Sequence, residues 1–263
     1  MPPVAPLATP DGGALHRGVS FSLPDGYRPL LLDLHVPARE GGPVPVVVWI
    51  HGGGFYSGDR RCLPDTMDQG SVFEALVAVA TVDYRLSGEA RFPAQLDDVL
   101  AALAYLRAFA GGLGLDPERI GVWGESAGGT PAALAALTDG RVAAAALWYP
   151  LADLALLDRE RADTPWARLI GGAPSALPEA AAQASPVSHV PAAAPPVLLL
   201  HGTADESLPA LHSERLHALL LAAGARSAYL PVEGAGHCFA GCEDIPALIT
   251  TTVDFLAREP AAR

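Results

Sequence analysis

The sequence predicts an α/β fold in which helices cover both faces of a mainly parallel β-sheet of about eight strands. Short runs of apolar, often β-branched residues recur along the 263 residues, as expected of strands buried on both faces. Between these runs, apolar residues recur at helical spacing. Alternation of the two patterns is typical of a parallel sheet with crossover helices. Half of the residues are hydrophobic and 17% are charged, which is enough apolar material for one well-buried core.

Eight segments carry the strand pattern. The segments 19–23 and 30–36 flank the turn Pro24-Asp25-Gly26, which predicts an antiparallel pair. The run 44–50 consists almost entirely of valine and other large apolar residues, so we expect it at the centre of the sheet. The remaining predicted strands are 77–83, 119–124, 143–149, 197–201 and 228–232.

Helices are predicted between the strands. One contains Leu96, Val99 and Leu103 at helical spacing, another follows residue 126, and two more span 208–223 and about 246–258. Asp116 followed by Pro117 predicts a short helical turn, since Asp is a good N-cap and Pro suits the first helical position.

One stretch interrupts the alternation. The segment from about 155 to 196 is rich in Ala and Pro and lacks a strand pattern. We expect it to form a small cap above the sheet, inserted in a single domain that spans residues 1–263.

The charge balance excludes several classes of function. Seventeen basic residues against 29 acidic ones give a net charge of −12, which repels nucleic acids and anionic membranes, so we expect neither as a partner.

The sequence contains no lysine. This absence excludes P-loop nucleotide hydrolases, Schiff-base enzymes, Ser–Lys hydrolases and protein kinases.

The termini and the cysteines favour a cytoplasmic protein. Residues 1–13 lack the basic start and apolar run of a signal peptide, and no apolar run approaches the roughly 18 residues of a membrane span. Cys62, Cys238 and Cys242 are odd in number and lack CxxC spacing, which favours reduced thiols over a disulfide. The His and Cys residues are too scattered to predict a metal site.

The segment from Gly124 to Gly128 is a GxSxG motif between a predicted strand and a predicted helix. A nucleophile elbow needs this context, because glycines flanking the serine permit the tight turn that exposes its hydroxyl. We therefore predict that Ser126 is a nucleophile. The alternative is a Gly- and Ser-rich start of a helix.

A second glycine-rich segment, His51-Gly52-Gly53-Gly54-Phe55, follows the most apolar strand. Successive glycines can turn their amides into a pocket without hindrance from side chains, as an oxyanion hole requires. The alternatives are an ordinary glycine-rich loop or a phosphate cradle. We expect His51 to hydrogen-bond neighbouring backbone rather than to take part in chemistry.

A serine nucleophile needs a base and an acid later in the chain. Among eight histidines, His237 lies in a glycine-containing loop after the last predicted strand, where a base can reach the serine. Asp205 and Asp153 both follow a strand and precede His237. We favour Asp205, because its loop is short, contains glycine and lies at the carboxyl end of a strand.

Five segments together resemble the carboxylesterase/lipase group of the α/β-hydrolase superfamily: WIHGGGF, VDYRL, GVWGESAGG, HGTADESLP and GAGHCF. The relatives in question are hormone-sensitive-lipase-like bacterial esterases and smaller acetyl- or feruloyl-esterase-like hydrolases. The resemblance covers about residues 44–255. The sequence departs from that of the larger members in two places. The helical cap that those members carry before the HGGG strand is missing here, and the stretch 65–75 looks short.

The resemblance implies an α/β-hydrolase fold, no cofactor, and a set of site residues: nucleophile Ser126, acid Asp205, base His237, and oxyanion-hole amides of Gly53, Gly54 and Ala127. The implied activity is hydrolysis of short-chain acyl esters through an acyl-enzyme. An amidase, formamidase or peptidase with the same triad and a non-catalytic binding protein are the alternatives. The bulky side chains expected near the serine, where they would restrict the acyl pocket, are Phe55, Tyr56, Trp166 and Phe239.

Overall fold

Nine strands form one sheet in the computed structural model, which describes residues 5–9, 12–38, 41–63 and 77–258. In chain order the strands are β1 (Leu7–Ala8), β2 (Ala14–Ser22), β3 (Leu30–Val36), β4 (Val44–Ile50), β5 (Ala78–Val82), β6 (Leu115–Glu125), β7 (Ala145–Trp148), β8 (Val197–Gly202) and β9 (Ser227–Val232).

The strand order across the sheet is β1-β2-β3-β5-β4-β6-β7-β8-β9. The pairs that join β1, β2, β3 and β5 are antiparallel, and every pair from β5–β4 to β8–β9 is parallel. The prediction of a mainly parallel sheet is therefore confirmed. Because β4, β6 and β8 run in the same direction, the loops that follow them lie at one edge of the sheet.

Among the described residues, six α-helices connect or follow the strands. They are α1 (Ala94–Leu113), α2 (Ser126–Thr138), α3 (Pro165–Ile170), α4 (Pro178–Gln183), α5 (Leu211–Ala222) and α6 (Ile245–Arg258). Short 3₁₀ turns occur at Leu154–Leu156, Pro186–Ser188 and His237–Phe239. Within the described residues, no helix is both long enough and apolar enough to cross a lipid bilayer.

Alternate residues of β4 enter two different hydrophobic cores. Val48 and Ile50 pack with apolar residues of α1, α2 and α5, whereas Val47 and Trp49 pack with residues of α6. Helices therefore cover both faces, as predicted, and successive side chains of a strand point to opposite faces. The second core contains a row of tryptophan rings, in which Trp123 makes edge contacts with Trp49 at 5.1 Å and with Trp148 at 4.9 Å.

The prediction of a helical turn at Asp116-Pro117 is wrong. Both residues belong to β6, at an irregularity where Val44 pairs with Leu115 but Val46 pairs with Ile120. The Asp116 carboxylate accepts the amide of Glu118 at 3.0 Å, which closes a local turn in place of a helix. Other differences concern extra residues and boundaries. Strand β1 adds a ninth, two-residue strand, β2 begins at Ala14 rather than at 19, β6 begins at Leu115 rather than at 119, and α5 begins at Leu211 rather than at 208.

The segment 155–196 contains α3 and α4 and no strand. Its apolar residues Leu169 and Ile170 pack against Phe55 and Ala127, in a third cluster at the edge of the sheet that carries the β4 and β6 loops. The stretch 65–75, which looks short from the sequence, lies outside the described residues.

Candidate active site

Strand β6 passes directly into helix α2 through a tight turn at Ser126. The backbone of Ser126 has φ = 48°, a left-handed conformation that residues with a Cβ rarely adopt. A Cβ on Gly124 would lie 2.5 Å from the carbonyl oxygen of Gly128, and one on Gly128 would lie 2.3 Å from the carbonyl oxygens of Ile50 and His51. The two glycines of the motif are therefore required by close backbone approach, in a strand–turn–helix of the predicted kind.

The structure brings Ser126, His237 and Asp205 together. The Oγ atom of Ser126 lies 2.9 Å from Nε2 of His237, and Nδ1 of His237 lies 2.7 Å from Oδ2 of Asp205. The other carboxylate oxygen of Asp205 accepts the amides of Ser207 and Leu208, each at 2.9 Å. These bonds fix the carboxylate toward His237 and keep residues 207 and 208 in a turn, which explains why α5 begins later than expected. Such a chain of hydrogen bonds can remove the proton of a serine hydroxyl and so activate it as a nucleophile.

Asp153, the alternative acid, lies in a different environment. Its carboxylate is 2.5 Å from the guanidinium of Arg215, and it also accepts the amide of Ala155 at 2.9 Å. The residue is buried beside the third apolar cluster and caps the 3₁₀ turn at Leu154–Leu156. The structure therefore pairs His237 with Asp205 and gives Asp153 a structural ion pair.

Electrostatic effects favour a charged imidazole at His237. Burial lowers the pKa of His237, but hydrogen bonds to Asp205 and Cys238 outweigh that effect and raise the pKa to about 9. For Asp205, burial acts in the opposite direction and raises the pKa of the carboxyl group. The hydrogen bonds that Asp205 accepts from His201, His237 and the Leu208 amide outweigh burial, so the pKa of Asp205 falls well below its ordinary value. Asp205 is thus an anion that favours the imidazolium form of His237.

The glycine loop after β4 lies against the elbow. A Cβ on Gly52 would be 3.4 Å from Cβ of Ser126, which shows how closely the two backbones approach. Gly53 and Gly54 have φ = 105° and 60°, which favour glycine. The amide of Ala127 belongs to the first turn of α2, where amides have no acceptor within the helix. The amides expected to bind an oxyanion therefore lie on two backbone segments that contact each other beside Ser126.

His51 holds the glycine loop, as expected. Its Nδ1 atom donates to the carbonyl oxygen of Gly52 at 2.7 Å, and its ring stacks on Tyr84 with 4.4 Å between the ring centroids. The hydroxyl of Tyr84 donates to the carbonyl oxygen of His51 at 3.0 Å. Burial lowers the pKa of His51, so the ring is neutral.

The four bulky side chains expected near the serine have different surroundings. Phe55 is buried in the third apolar cluster with Ala127, and Trp166 packs against that cluster while its Nε1 donates to the carbonyl oxygen of Asp158. Tyr56 is exposed and covers Gly54. The expectation for Phe239 is wrong: its ring is 1% exposed and packs against Trp148 and Tyr149, so it offers no surface to a substrate.

Sequence reasoning missed two residues that touch the site, Glu125 and Tyr149. The hydroxyl of Tyr149 donates to Oε2 of Glu125 at 2.7 Å, and the amide of Gly52 donates to Oε1 at 3.3 Å. The Tyr149 ring stands edge-on to the His237 ring, with 5.0 Å between centroids. No local sequence signal identifies this pair, because its contact depends on β6 and β7 being neighbours in the sheet.

No group of three His, Cys, Asp or Glu side chains within the described ranges is arranged to hold a metal ion.

Comparisons of the sequence with known proteins find a matching family model and a similar carboxylesterase. Residues 32–220 match the BD-FAE family model. The chain is 38% identical over 149 residues to "Carboxylesterase NlhH" of Mycobacterium tuberculosis (strain CDC 1551 / Oshkosh), covering 54% of this chain and 46% of that protein. It therefore spans about half the length of this relative.

Two solved structures are similar over almost the whole chain. A truncated form of a carbohydrate esterase from gut microbiota superposes with a TM-score of 0.84 and 26% identity, covering 94% of this chain and 97% of that one. The butyrate-bound esterase Est2 of Thermogutta terrifontis gives 0.72 and 26% identity, covering 90% of each chain. The family match extends over more than half of the residues and includes β4, the elbow at Ser126 and Asp205. The chain belongs to the BD-FAE family of α/β hydrolases.

Proposed function

We propose that the chain is a serine carboxylesterase that hydrolyses short-chain acyl esters through an acyl-enzyme intermediate. The observation that carries the proposal is the pair of short distances from Ser126 Oγ to His237 Nε2 and from His237 Nδ1 to Asp205 Oδ2, 2.9 and 2.7 Å. The names of similar proteins, which include a carboxylesterase and a carbohydrate esterase, support the same class of reaction.

In the proposed reaction, His237 takes the hydroxyl proton of Ser126 as Oγ attacks the ester carbonyl carbon. The amides of Gly53, Gly54 and Ala127 stabilise the oxyanion of the tetrahedral intermediate, and Asp205 stabilises the imidazolium. The intermediate collapses to an acyl-serine, and the leaving alkoxide takes the proton from His237. Water then attacks the acyl-serine, with His237 again as base, and releases the carboxylic acid and free Ser126.

The proposed acyl pocket is small. Phe55, Leu169 and Ile170 fill the apolar cluster next to Ala127, and the segment 155–196 would cover that side of the site as a small cap. Structures of the similar Est2 esterase are described as propionate-bound and butyrate-bound, which supports short acyl groups as the substrate class.

The test combines activity with active-site labelling. The wild-type protein and the Ser126→Ala variant are assayed on p-nitrophenyl acetate, p-nitrophenyl butyrate and an acetylated monosaccharide. We expect kcat to fall by about 10⁴-fold or more in the variant, because the covalent step is lost. An organophosphate should label the wild type at Ser126 and leave the variant unlabelled. Unchanged activity in the variant would contradict the proposal.

An amide matched to the ester substrate separates the alternatives. An amidase or peptidase would hydrolyse the matched amide with an appreciable kcat, whereas an esterase would hydrolyse only the ester. A non-catalytic binding protein would neither hydrolyse esters nor react with the organophosphate. We propose a reducing cytoplasm as the location, because Cys62, Cys238 and Cys242 are free thiols. We propose small-molecule substrates rather than nucleic acid or membrane as partners, because the net charge is −12.

A further inference from the structure

We propose that Glu125 and Tyr149 form a positioning pair for this reaction, in which Tyr149 holds the Glu125 carboxylate where it fixes the Gly52 amide and stabilises the imidazolium of His237. The inference rests on the proposed function and concerns residues that the Ser–His–Asp mechanism does not use.

The geometry of Glu125 argues for a carboxylate with both oxygens in use. Oε1 accepts the Gly52 amide and Oε2 accepts the Tyr149 hydroxyl, so neither oxygen needs a proton of its own. Burial raises the pKa of Glu125, and the bond from Tyr149 acts against that rise. Tyr149 therefore helps to keep a half-buried carboxyl group ionised.

Glu125 connects the elbow to the glycine loop. It is the residue directly before Ser126, and the Gly52 amide that it accepts directly precedes Gly53 and Gly54. A Cβ on Gly52 would lie 3.3 Å from Oε1 of Glu125, so a side chain at position 52 would press on this contact. The carboxylate thus joins the two backbone segments whose amides would bind the oxyanion.

Tyr149 connects the same carboxylate to the base. Tyr149 directly follows β7 and has φ = 37°, a strained conformation that turns the residue toward the site. Its ring is 2% exposed and makes edge contacts with both His237 and Phe239. Because the ring is confined on these sides, its hydroxyl has a fixed direction toward Glu125.

The charged groups around His237 show what the pair contributes. The titratable groups that face His237 are Asp205, the neighbouring Cys238, Tyr149 and Glu125. Glu125 is faced by Tyr149, His237 and Tyr84. Asp205 is the stronger partner because it bonds the ring directly, and Glu125, whose Oε2 accepts the hydroxyl of the Tyr149 ring beside His237, adds a second and more distant negative charge. That charge favours the imidazolium that forms as Ser126 attacks.

Four variants test the proposal. Glu125→Gln keeps the shape and removes the charge, whereas Tyr149→Phe removes the hydroxyl and keeps the ring. Tyr105→Phe is the matched tyrosine control, because the buried Tyr105 hydroxyl has no hydrogen-bond partner among the described residues. Glu233→Gln is the matched charge control, since Glu233 is exposed in the loop that leads to His237.

On p-nitrophenyl acetate, both pair variants are expected to lose about 10- to 100-fold in kcat with little change in KM, because the lost interactions act in the transition state. The two control variants should stay within about twofold of the wild type. Glu125→Gln should also move the acid limb of the kcat/KM profile to lower pH by about 0.5–1 unit. Tyr149→Phe should move that limb in the same direction by a smaller amount, because the carboxylate stays but loses the hydroxyl that holds it.

A second readout needs no substrate. The imidazole of His237 is titrated by NMR in ¹³C-histidine-labelled protein, with the signal assigned by its absence in His237→Asn. The pKa of His237 should fall in Glu125→Gln and stay within about 0.3 units in Glu233→Gln. Unchanged kcat in both pair variants together with an unchanged His237 titration would overturn the proposal. If the wild type hydrolyses no ester, the proposed function fails, and the titration still decides whether Glu125 acts on His237.

Discussion

The amide of Ala204 donates a 3.0 Å hydrogen bond to the carbonyl oxygen of Ala235, which joins the loop that carries Asp205 to the loop that carries His237. Thr203 strengthens the junction, since its hydroxyl accepts the amide of Gly234 at 2.9 Å. The spacing of Asp205 and His237 therefore depends on backbone contacts as well as on their own hydrogen bond.

Substitution of Gly202 tests the contact between these two loops. A Cβ at position 202 would lie 2.2 Å from the carbonyl oxygen of Ala235, so Gly202→Ala must push the two loops apart. We expect the free energy of unfolding to fall by about 1–3 kcal/mol and kcat to fall at least about tenfold. The control is Gly111→Ala in α1, where nothing lies within 4 Å of an added Cβ. Urea unfolding and ester hydrolysis measure both effects, and a Gly202→Ala protein with normal activity would contradict the prediction.

The choice of acid is tested by a pair of Asp→Asn variants. In Asp205→Asn, the side-chain oxygen can keep the amides of Ser207 and Leu208, which leaves the amide nitrogen facing Nδ1 of His237. Two donors then meet, the imidazole adopts the wrong tautomer, and kcat should fall roughly 10³–10⁴-fold. Asp153→Asn breaks only the Arg215 ion pair, so its kcat should stay within a few-fold of the wild type. The reverse ranking would identify Asp153 as the acid.

The pH dependence follows from the raised pKa of His237, about 9. The base must be neutral to accept the serine proton, and below this pKa the protonated fraction dominates. We expect kcat/KM to rise about tenfold per pH unit from pH 7 and to level off above about pH 9. Rates on p-nitrophenyl acetate, corrected with the Ser126→Ala protein as the blank, give the profile. A flat profile between pH 7 and 9 would show that His237 titrates lower.

We expect the packed cluster beside Ala127 to limit the length of the acyl chain. Phe55 and Leu169 are 2% and 1% exposed, so extra methylenes find little unoccupied apolar space. Each methylene left in water forgoes about 0.8 kcal/mol of binding. On p-nitrophenyl esters from acetate to palmitate, kcat/KM should be highest for acetyl to butyryl and fall beyond about six to eight carbons. No increase in rate is expected at the micelle-forming concentration, and a maximum at ten carbons or longer would contradict the small pocket.

Much of the fold could be predicted because its strands are of the kind that sequence patterns reveal. Strand β4 is buried along its full length, so its seven residues are all apolar or proline and stand out from their surroundings. Strand β1 has two exposed residues and makes no such pattern. The prediction of a helical turn at Asp116 was wrong for a different reason. An Asp-Pro pair suits the start of a helix and an irregularity in a strand equally well. Only the pairing of β4 with β6 decides between the two.

The candidate site was predictable where its residues lie in motifs with glycine. Ser126 and the glycine loop are of this kind, since close backbone approach excludes other residues. Glu125 occupies a variable position of the same motif, and Tyr149 directly follows a strand that looks merely apolar. Their 2.7 Å hydrogen bond depends on the neighbouring positions of β6 and β7 in the sheet, which local sequence does not specify. Phe239 was misjudged for the converse reason, because a ring two positions after the base turns into the core.

The candidate site also depends on parts of the chain that are far apart in sequence. Ser126 and His237 are 111 positions apart, and Asp205 precedes His237 by 32. These side chains can meet only after β6, β7, β8 and β9 have paired, and contacts of such large sequence separation form slowly because loop closure costs entropy first. We therefore expect helical content to return early during refolding and ester hydrolysis to return only with the complete sheet, so that activity would measure the fully folded fraction.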